Sequence, residues 1–248
     1  MGKITEEQRH FLLNDQRYLY CLKRSDRRTL AIQIRPDGEI IVRAPRKVSL
    51  DHIQQFLGDR HHWITKHLQT IAQRPAPQPP YRWIAGEQHF YLGELYSLRL
   101  IAGDRPNVRL TNDYLQIIVP EPKDAASIQT ALQKWYRSQA KLIFRERLEQ
   151  LSKKNRPILQ LEQQQIPIKI RQMKTRWGSC SCRGNINLNL ALIKAPLCCL
   201  DYVLVHELCH FREMNHSDRF WQLVTACLPD WRRHQMKLRE LEAQLLRG

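Results

Sequence analysis

A chain of 248 residues with 42% hydrophobic residues can bury one sizeable core or two modest ones, which excludes a disordered protein. No apolar window reaches the length of a membrane-spanning helix, and residues 1–7 lead into no signal core, so a cytoplasmic protein without a membrane partner is expected. The formal charge of +16 is spread along the chain, which favours anionic partners, nucleic acid or a phosphate-bearing substrate among them.

Residues 18–22, 29–34 and 39–44 read as strands, the last two joined by the turn Pro36-Asp37-Gly38, and a small antiparallel sheet is expected from them. Ser49 then caps a helix with Ile53, Phe56, Leu57, Ile64 and Leu68 at helical spacing, and Trp63 is expected in its core face. Residues 74–80 hold four prolines in seven positions, a composition that suits an extended linker. Beyond it, 88–92, 96–100 and 114–119 are further strands, completing a β-rich N-terminal region over 1–123.

A C-terminal domain over 124–248 opens with a long amphipathic helix, 124–152, in which Ile128, Leu132, Trp135, Ala140, Ile143, Phe144 and Leu148 recur. Ile166, Ile168 and Ile170 alternate with polar residues, and the apolar parity then moves to Met173, Thr175 and Trp177, which predicts a bend near Arg171-Gln172. Residues 178–184 read as a turn. Residues 185–193 return as a strand, with Ile186, Leu188, Leu190 and Leu192 on one face and Asn185, Asn187 and Asn189 on the other. Seven cysteines, an odd number in a chain without an export signal, point to reduced thiols. Neither Cys180-Ser181-Cys182 nor Cys198-Cys199 has zinc-ribbon spacing.

The densest chemistry lies in Val205-His206-Glu207-Leu208-Cys209-His210-Phe211-Arg212-Glu213-Met214-Asn215-His216. Leu200, Val203, Leu204, Leu208 and Phe211 place an amphipathic helix here, and Pro196 suits its first turn. Residues four apart share a helix face, so His206 and His210 converge with Glu207 beside them. His216 can be a third ligand if the helix stops after His210 and the chain folds back. No glycine is available for that reversal, so Asn215 is expected to adopt a left-handed conformation. Ser217 can cap a following helix bearing Phe220, Trp221 and Val224, and a basic helix with Met236, Leu238, Leu241 and Leu245 closes the chain. Three imidazoles and an open fourth position describe a catalytic rather than a structural zinc site. Such an ion lowers the pKa of a bound water towards about 7 and leaves Glu207 as general base.

Three blocks carry a family resemblance. They are Met173-Lys174-Thr175-Arg176-Trp177-Gly178-Ser179-Cys180 with Gly184-Asn185-Ile186-Asn187-Leu188-Asn189, then the stretch from Asp201 through the histidine motif to Trp221, then Leu228-Pro229-Asp230-Trp231. With the strand Ile40 to Pro45, they make the chain resemble the YgjP-like metal-dependent hydrolases, relatives of SprT-type and WLM zinc proteases in the zincin superfamily. Cys182 and Leu190 depart from the family pattern. The resemblance implies an α+β fold: a zincin-like core whose H-E-x-x-H helix packs on a small, mostly antiparallel sheet. It also implies zinc on His206, His210 and His216 with Glu207 as base. Arg176, Trp177, Asn187 and Asn189 of the hairpin are expected to contact substrate. Peptide hydrolysis is the first expectation. Cleavage of nucleoside triphosphates such as UTP at the same zinc is the alternative, with Arg171, Lys174, Arg176 and Arg212 as candidate phosphate-neutralising cations. A non-catalytic, basic nucleic-acid-binding zinc module is a third reading. No P-loop motif is present.

Overall fold

The computed structural model describes residues 5–13, 16–35, 37–72, 79–161, 165–181 and 184–247. Contacts divide the chain into two compact units, Met1–Ala76 and Pro77–Gly248. The division falls in the proline-rich stretch, most of which, like Pro36 and Cys182, lies outside the described residues. The boundary expected at 123/124 falls inside the second unit, because Leu115, Ile117 and Val119 share one core with Ile128, Leu132 and Tyr136 of the long helix.

The first unit contains β1 (Thr5–Leu13), β2 (Gln16–Ser25), β3 (Ala31–Ile34), β4 (Ile40–Pro45), α1 (Leu50–Asp59) and α2 (His61–Ala72). Its strands run in the order β1-β2-β4-β3. The outer pairs are antiparallel but β2 and β4 are parallel, so the sheet is mixed and not the antiparallel one expected. β1 carries little apolar alternation and is held by pairing with β2 from Thr5 opposite Arg24 to Leu13 opposite Gln16. Ser49 caps α1, accepting from the His52 amide, and the single helix expected breaks at Arg60, whose φ of −107° and ψ of 14° leave the helical region. Ile53, Leu57 and Ile64 pack against Leu22, Ile40 and Val42. Trp63, expected in that core, is 41% exposed and lies beside His67 instead.

The second unit begins with β5 (Gln88–Tyr91), β6 (Glu94–Ala102), β7 (Asn107–Leu110) and β8 (Tyr114–Val119), ordered β5-β6-β8-β7. Here too a parallel pair, β6 and β8, lies between two antiparallel ones, so the two four-stranded sheets share one topology. α3 (Ala125–Leu159) is capped by Asp124, whose carboxylate accepts from the amides of Ala126 and Ser127. Its buried stripe of Ile128, Leu132, Tyr136, Ala140, Phe144 and Leu148 advances four residues at a time, the spacing of one helix face. The helix runs seven residues past the expected end and stops where Gln160 turns left-handed.

A three-stranded sheet follows, β9 (Ile168–Arg171), β10 (Gly178–Cys180) and β11 (Ile186–Asn189), ordered β10-β11-β9. β10 is antiparallel and β9 parallel to β11. β9 ends at Arg171, where the parity shift placed a bend. Two differences from the sequence reading matter for the site. Gly178–Cys180 is an edge strand, not a turn, and the strand expected to reach Ile193 gives way to a 3-10 helix, Leu190–Lys194. Asn189 causes the second, because its side-chain oxygen accepts from the Ala191 amide and caps that helix. Helices α4 (Leu197–Cys209), α5 (Asp218–Cys227) and α6 (Trp231–Leu245) complete a mixed α+β architecture. Among the described residues no helix is long and apolar enough to cross a membrane.

Candidate metal centre

α4 follows Pro196, which occupies its N-cap position, and buries Leu200, Val203, Leu204, Val205 and Leu208. Arg147 of α3 grips Asp201 in its second turn with two parallel hydrogen bonds, Nε donating to Oδ1 at 2.8 Å and Nη2 to Oδ2. Helix and clamp together direct His206, Glu207 and His210 toward β10.

The helix ends at Cys209, with His210 as its cap. The Phe211 amide donates to the Leu208 carbonyl, and the Arg212 and Glu213 amides both donate to that of Cys209. These tight turns unwind the helix by stages. No residue from 211 to 217 has a positive φ, so Asn215 is not left-handed and the reversal needs no glycine. Nδ1 of His210 lies 3.0 Å from the Glu213 carbonyl oxygen. A carbonyl can only accept, so the ring proton is on Nδ1 and Nε2 presents its lone pair. Ser217 then caps α5 by accepting from the Phe220 amide. Phe220, fully buried, places its ring 4.7–4.9 Å from all three imidazoles. Trp221 stacks on His216 and on Trp231, backing the exposed histidine with aromatic surface.

The ligand atoms of His206, His210 and His216 lie within 4.8 Å of one another and could hold a metal ion. His206 Nε2 and His216 Nε2 approach to 2.9 Å. Nitrogens around a tetrahedral zinc are about 3.3 Å apart at ordinary bond lengths, so the cluster fits such an ion with small adjustments. Burial, reinforced by the neighbouring His210 and His216, pushes His206 down to about 3, and burial also lowers His210. These rings are therefore neutral near pH 7, the state in which imidazole is a ligand.

Glu207 is 4% exposed. Burial raises its carboxyl to about 8 against the opposing pull of Arg176 and the Cys180 amide, and one oxygen, Oε2, has no hydrogen-bond partner. A cation held by the three histidines would draw that pKa back down.

The three histidines and Glu207 line a cleft of about 330 Å3 with Arg176, Gly178, Ser179, Cys180 and Met214. Of the four hairpin residues expected to meet substrate, only Arg176 is among the lining groups. Trp177 packs against the core, Asn187 donates to Ser179 Oγ at 3.2 Å, and Asn189 donates to the carbonyls of Met173 and Arg176 at 2.8 and 3.0 Å. These three support the cleft wall from behind. Gly178 and Met214 were not singled out from the sequence. The signal for Gly178 was its place before a polar hairpin, read as a turn.

The YgjP-like, metallopeptidase domain family matches residues 28–241, which includes every element around the cleft. The chain belongs to the YgjP-like family. As a YgjP-like protein it is a metal-dependent hydrolase. Among solved structures, the crystal structure of the metallopeptidase zymogen of Pyrococcus abyssi abylysin is 25% identical over 41% of this chain and 97% of that one, with a TM-score of 0.34. No curated protein matches the chain.

Proposed function

We propose that this YgjP-like hydrolase is a zinc metallopeptidase, with His206, His210 and His216 as the ligands and Glu207 as the general base. The observation that carries the reading is the convergence of three imidazoles and one buried carboxylate in a cleft that an edge strand also lines. Three neutral nitrogen donors suit zinc and leave a position open. When bound, zinc supplies acidification of water and polarisation of a carbonyl. Glu207, with Oε2 unpaired, is placed to take a proton from the attacking water and to deliver it to the departing amine. β10 pairs with β11 on one side only, so its outer edge offers amides and carbonyls to an extended peptide, which pairing would lay along the cleft. Arg176 adds a positive charge that favours negative charge developing on the scissile carbonyl.

A triphosphate would ask for several cations around the same point. Of Arg171, Lys174, Arg176 and Arg212, only Arg176 lines the cleft, which favours peptides over phosphoanhydrides. A module that used zinc only for folding would have no need of a buried carboxylate beside the ligands.

Zinc content and turnover of wild type and Glu207→Gln, each assayed on casein and on UTP, test the reading. Both proteins should carry zinc, and the variant should lose roughly 10²–10⁴-fold in casein cleavage. UTP cleavage without casein cleavage overturns the substrate assignment, full turnover by the variant overturns the role of Glu207, and absence of zinc overturns the ligand set.

A further inference from the structure

The second unit contains another cavity, of about 360 Å3, which shares no lining residue with the metal cleft. α3 lines it with two neighbouring pairs, Leu132 with Tyr136 and Gln129 with Gln133, so an apolar wall meets a row of amides. Three cations and an imidazole line the same space: Lys174, which is exposed, Lys194, Arg247 and His89.

Lys194, at the end of the 3-10 helix, is partly buried, and among the described residues its ammonium hydrogen-bonds the carbonyls of Leu245 and Arg247, both at a long 3.4 Å. The rings of Tyr81 and Tyr136 flank it at 5.5 and 5.8 Å. Among the described residues no carboxylate pairs with it. Glu87, the nearby acid, is engaged by the amides of Arg82 and Trp83, by His89 and by Arg247. His89 is 1% exposed. One ring nitrogen faces Glu87 at 3.3 Å, and the other, Nδ1, has no partner. The ring nitrogen that faces the Glu87 carboxylate carries the proton, so Nδ1 is left an acceptor, and it is the ammonium, with no carboxylate partner among the described residues, that an anionic ligand completes.

We propose that this cavity binds a small organic monoanion, a carboxylate carried on an apolar body, with Lys194 and Arg247 opposite the charge and Leu132, Tyr136 and Met173 against the body. Fixed positive charge in a partly desolvated, aromatic setting favours one anionic group, and the apolar wall disfavours a bare inorganic ion. The site also bears on the metal cleft. Asn189 and Met173 line the cavity, and the Asn189 amide donates to the carbonyls of Met173 and Arg176, while Arg176 lines the cleft. Asn189 thus borders the cavity and also braces the segment that presents Arg176.

Isothermal titration of the full-length, chelator-treated protein with benzoate, hexanoate, inorganic phosphate and the uncharged benzyl alcohol tests this. Benzoate and hexanoate should bind at least tenfold tighter than phosphate or benzyl alcohol. Lys194→Met should weaken benzoate at least tenfold, and Gln133→Glu, which sets a like charge at the rim and leaves Lys194 in place, at least threefold. His216→Ala should leave benzoate affinity unchanged, which separates this cavity from the metal cleft. If Lys194→Met does not fold, Gln133→Glu decides. No carboxylate binding at millimolar concentration, phosphate binding as tight as benzoate, affinity unaltered by both cavity variants, or affinity abolished by His216→Ala overturns the proposal.

Discussion

The carboxylate of Glu207 packs against a residue that has no side chain: a Cβ at Gly178 would fall 2.5 Å from Oε1 and 3.0 Å from Cγ and Cδ. The edge strand and the metal helix approach this closely because the strand begins with glycine. Gly178→Ala must therefore displace either strand or carboxylate. The expected result is a loss of roughly 10²-fold in peptide turnover with metal content retained, since misplacing a reacting group by about 1 Å costs that much. The measurement is a cycle with Glu207→Gln, in which the double variant should be little worse than Glu207→Gln alone, because both changes remove the same function.

Asp201 of α4 and Arg147 of α3 fix the helix that carries the site, and both are less than a third exposed. Asp201→Ala leaves the guanidinium without its bidentate partner and should lower stability by about 2 kcal/mol. Asp201→Asn, which keeps one acceptor, should cost less. Denaturant midpoints at constant slope report the difference.

The convergence of the three histidines was legible in the sequence because its logic is local. Two histidines four apart need only a helix, and Leu200, Val203, Leu204 and Leu208 announce one. The path to His216 was legible in outcome but not in means, since a staged unwinding at 210–213 leaves no residue signature of the kind a left-handed glycine would. The mixed first sheet was not legible, because β2 pairs directly with β4 while β3, between them in sequence, lies at the sheet edge, and such pairing is encoded by long-range packing, not by alternation. Asn187 and Asn189 read as one row of amides facing a substrate. Their difference lies in side-chain bonds to distant backbone, which spacing does not carry.

Asn189 is 2% exposed and makes three bonds, to the carbonyls of Met173 and Arg176 and from the Ala191 amide. Asn189→Leu, close in volume, keeps the packing and leaves two part-buried carbonyls and one amide without their side-chain partner. A loss of about 2–4 kcal/mol is expected, with peptide turnover falling as the 173–178 segment loosens. Thermal unfolding followed beside activity checks both parts, and a variant as stable as wild type would remove Asn189 from its supporting role.

His89 gives a pH dependence whose sign follows from its surroundings. Burial, aided by the charges of Lys194 and Arg247, lowers its pKa from 6.5 to about 4, although Glu87 opposes this. The rings of Tyr81 and Trp83 cover it. Between those two pH values the unfolded chain takes up a proton that the folded one refuses. Its contribution is whole above pH 6.5 and drains away as pH falls toward 4, up to about 3 kcal/mol in all. His89→Phe should flatten the loss of stability between pH 7 and pH 4.5, measured by denaturant midpoints on both proteins. Equal slopes would show that this ring does not contribute.

The three imidazoles meet at distances that suit a shared cation better than one another: His206 Nε2 and His216 Nε2 are 2.9 Å apart, and both rings are held by Phe220 and Trp221. A metal that binds only the folded arrangement stabilises it by mass action, about 4 kcal/mol at a thousandfold excess over Kd. Chelation should lower the unfolding temperature and added zinc should restore it. His216 is exposed and rests on aromatic surface rather than in the core, so His216→Ala should fold yet show no response to zinc or chelator. Glu207→Gln should respond like wild type, because in the proposed roles the carboxylate is the base beside the ligands and not one of them. If the Gln variant loses the zinc response and the Ala variant keeps it, the roles of ligand and base have been exchanged.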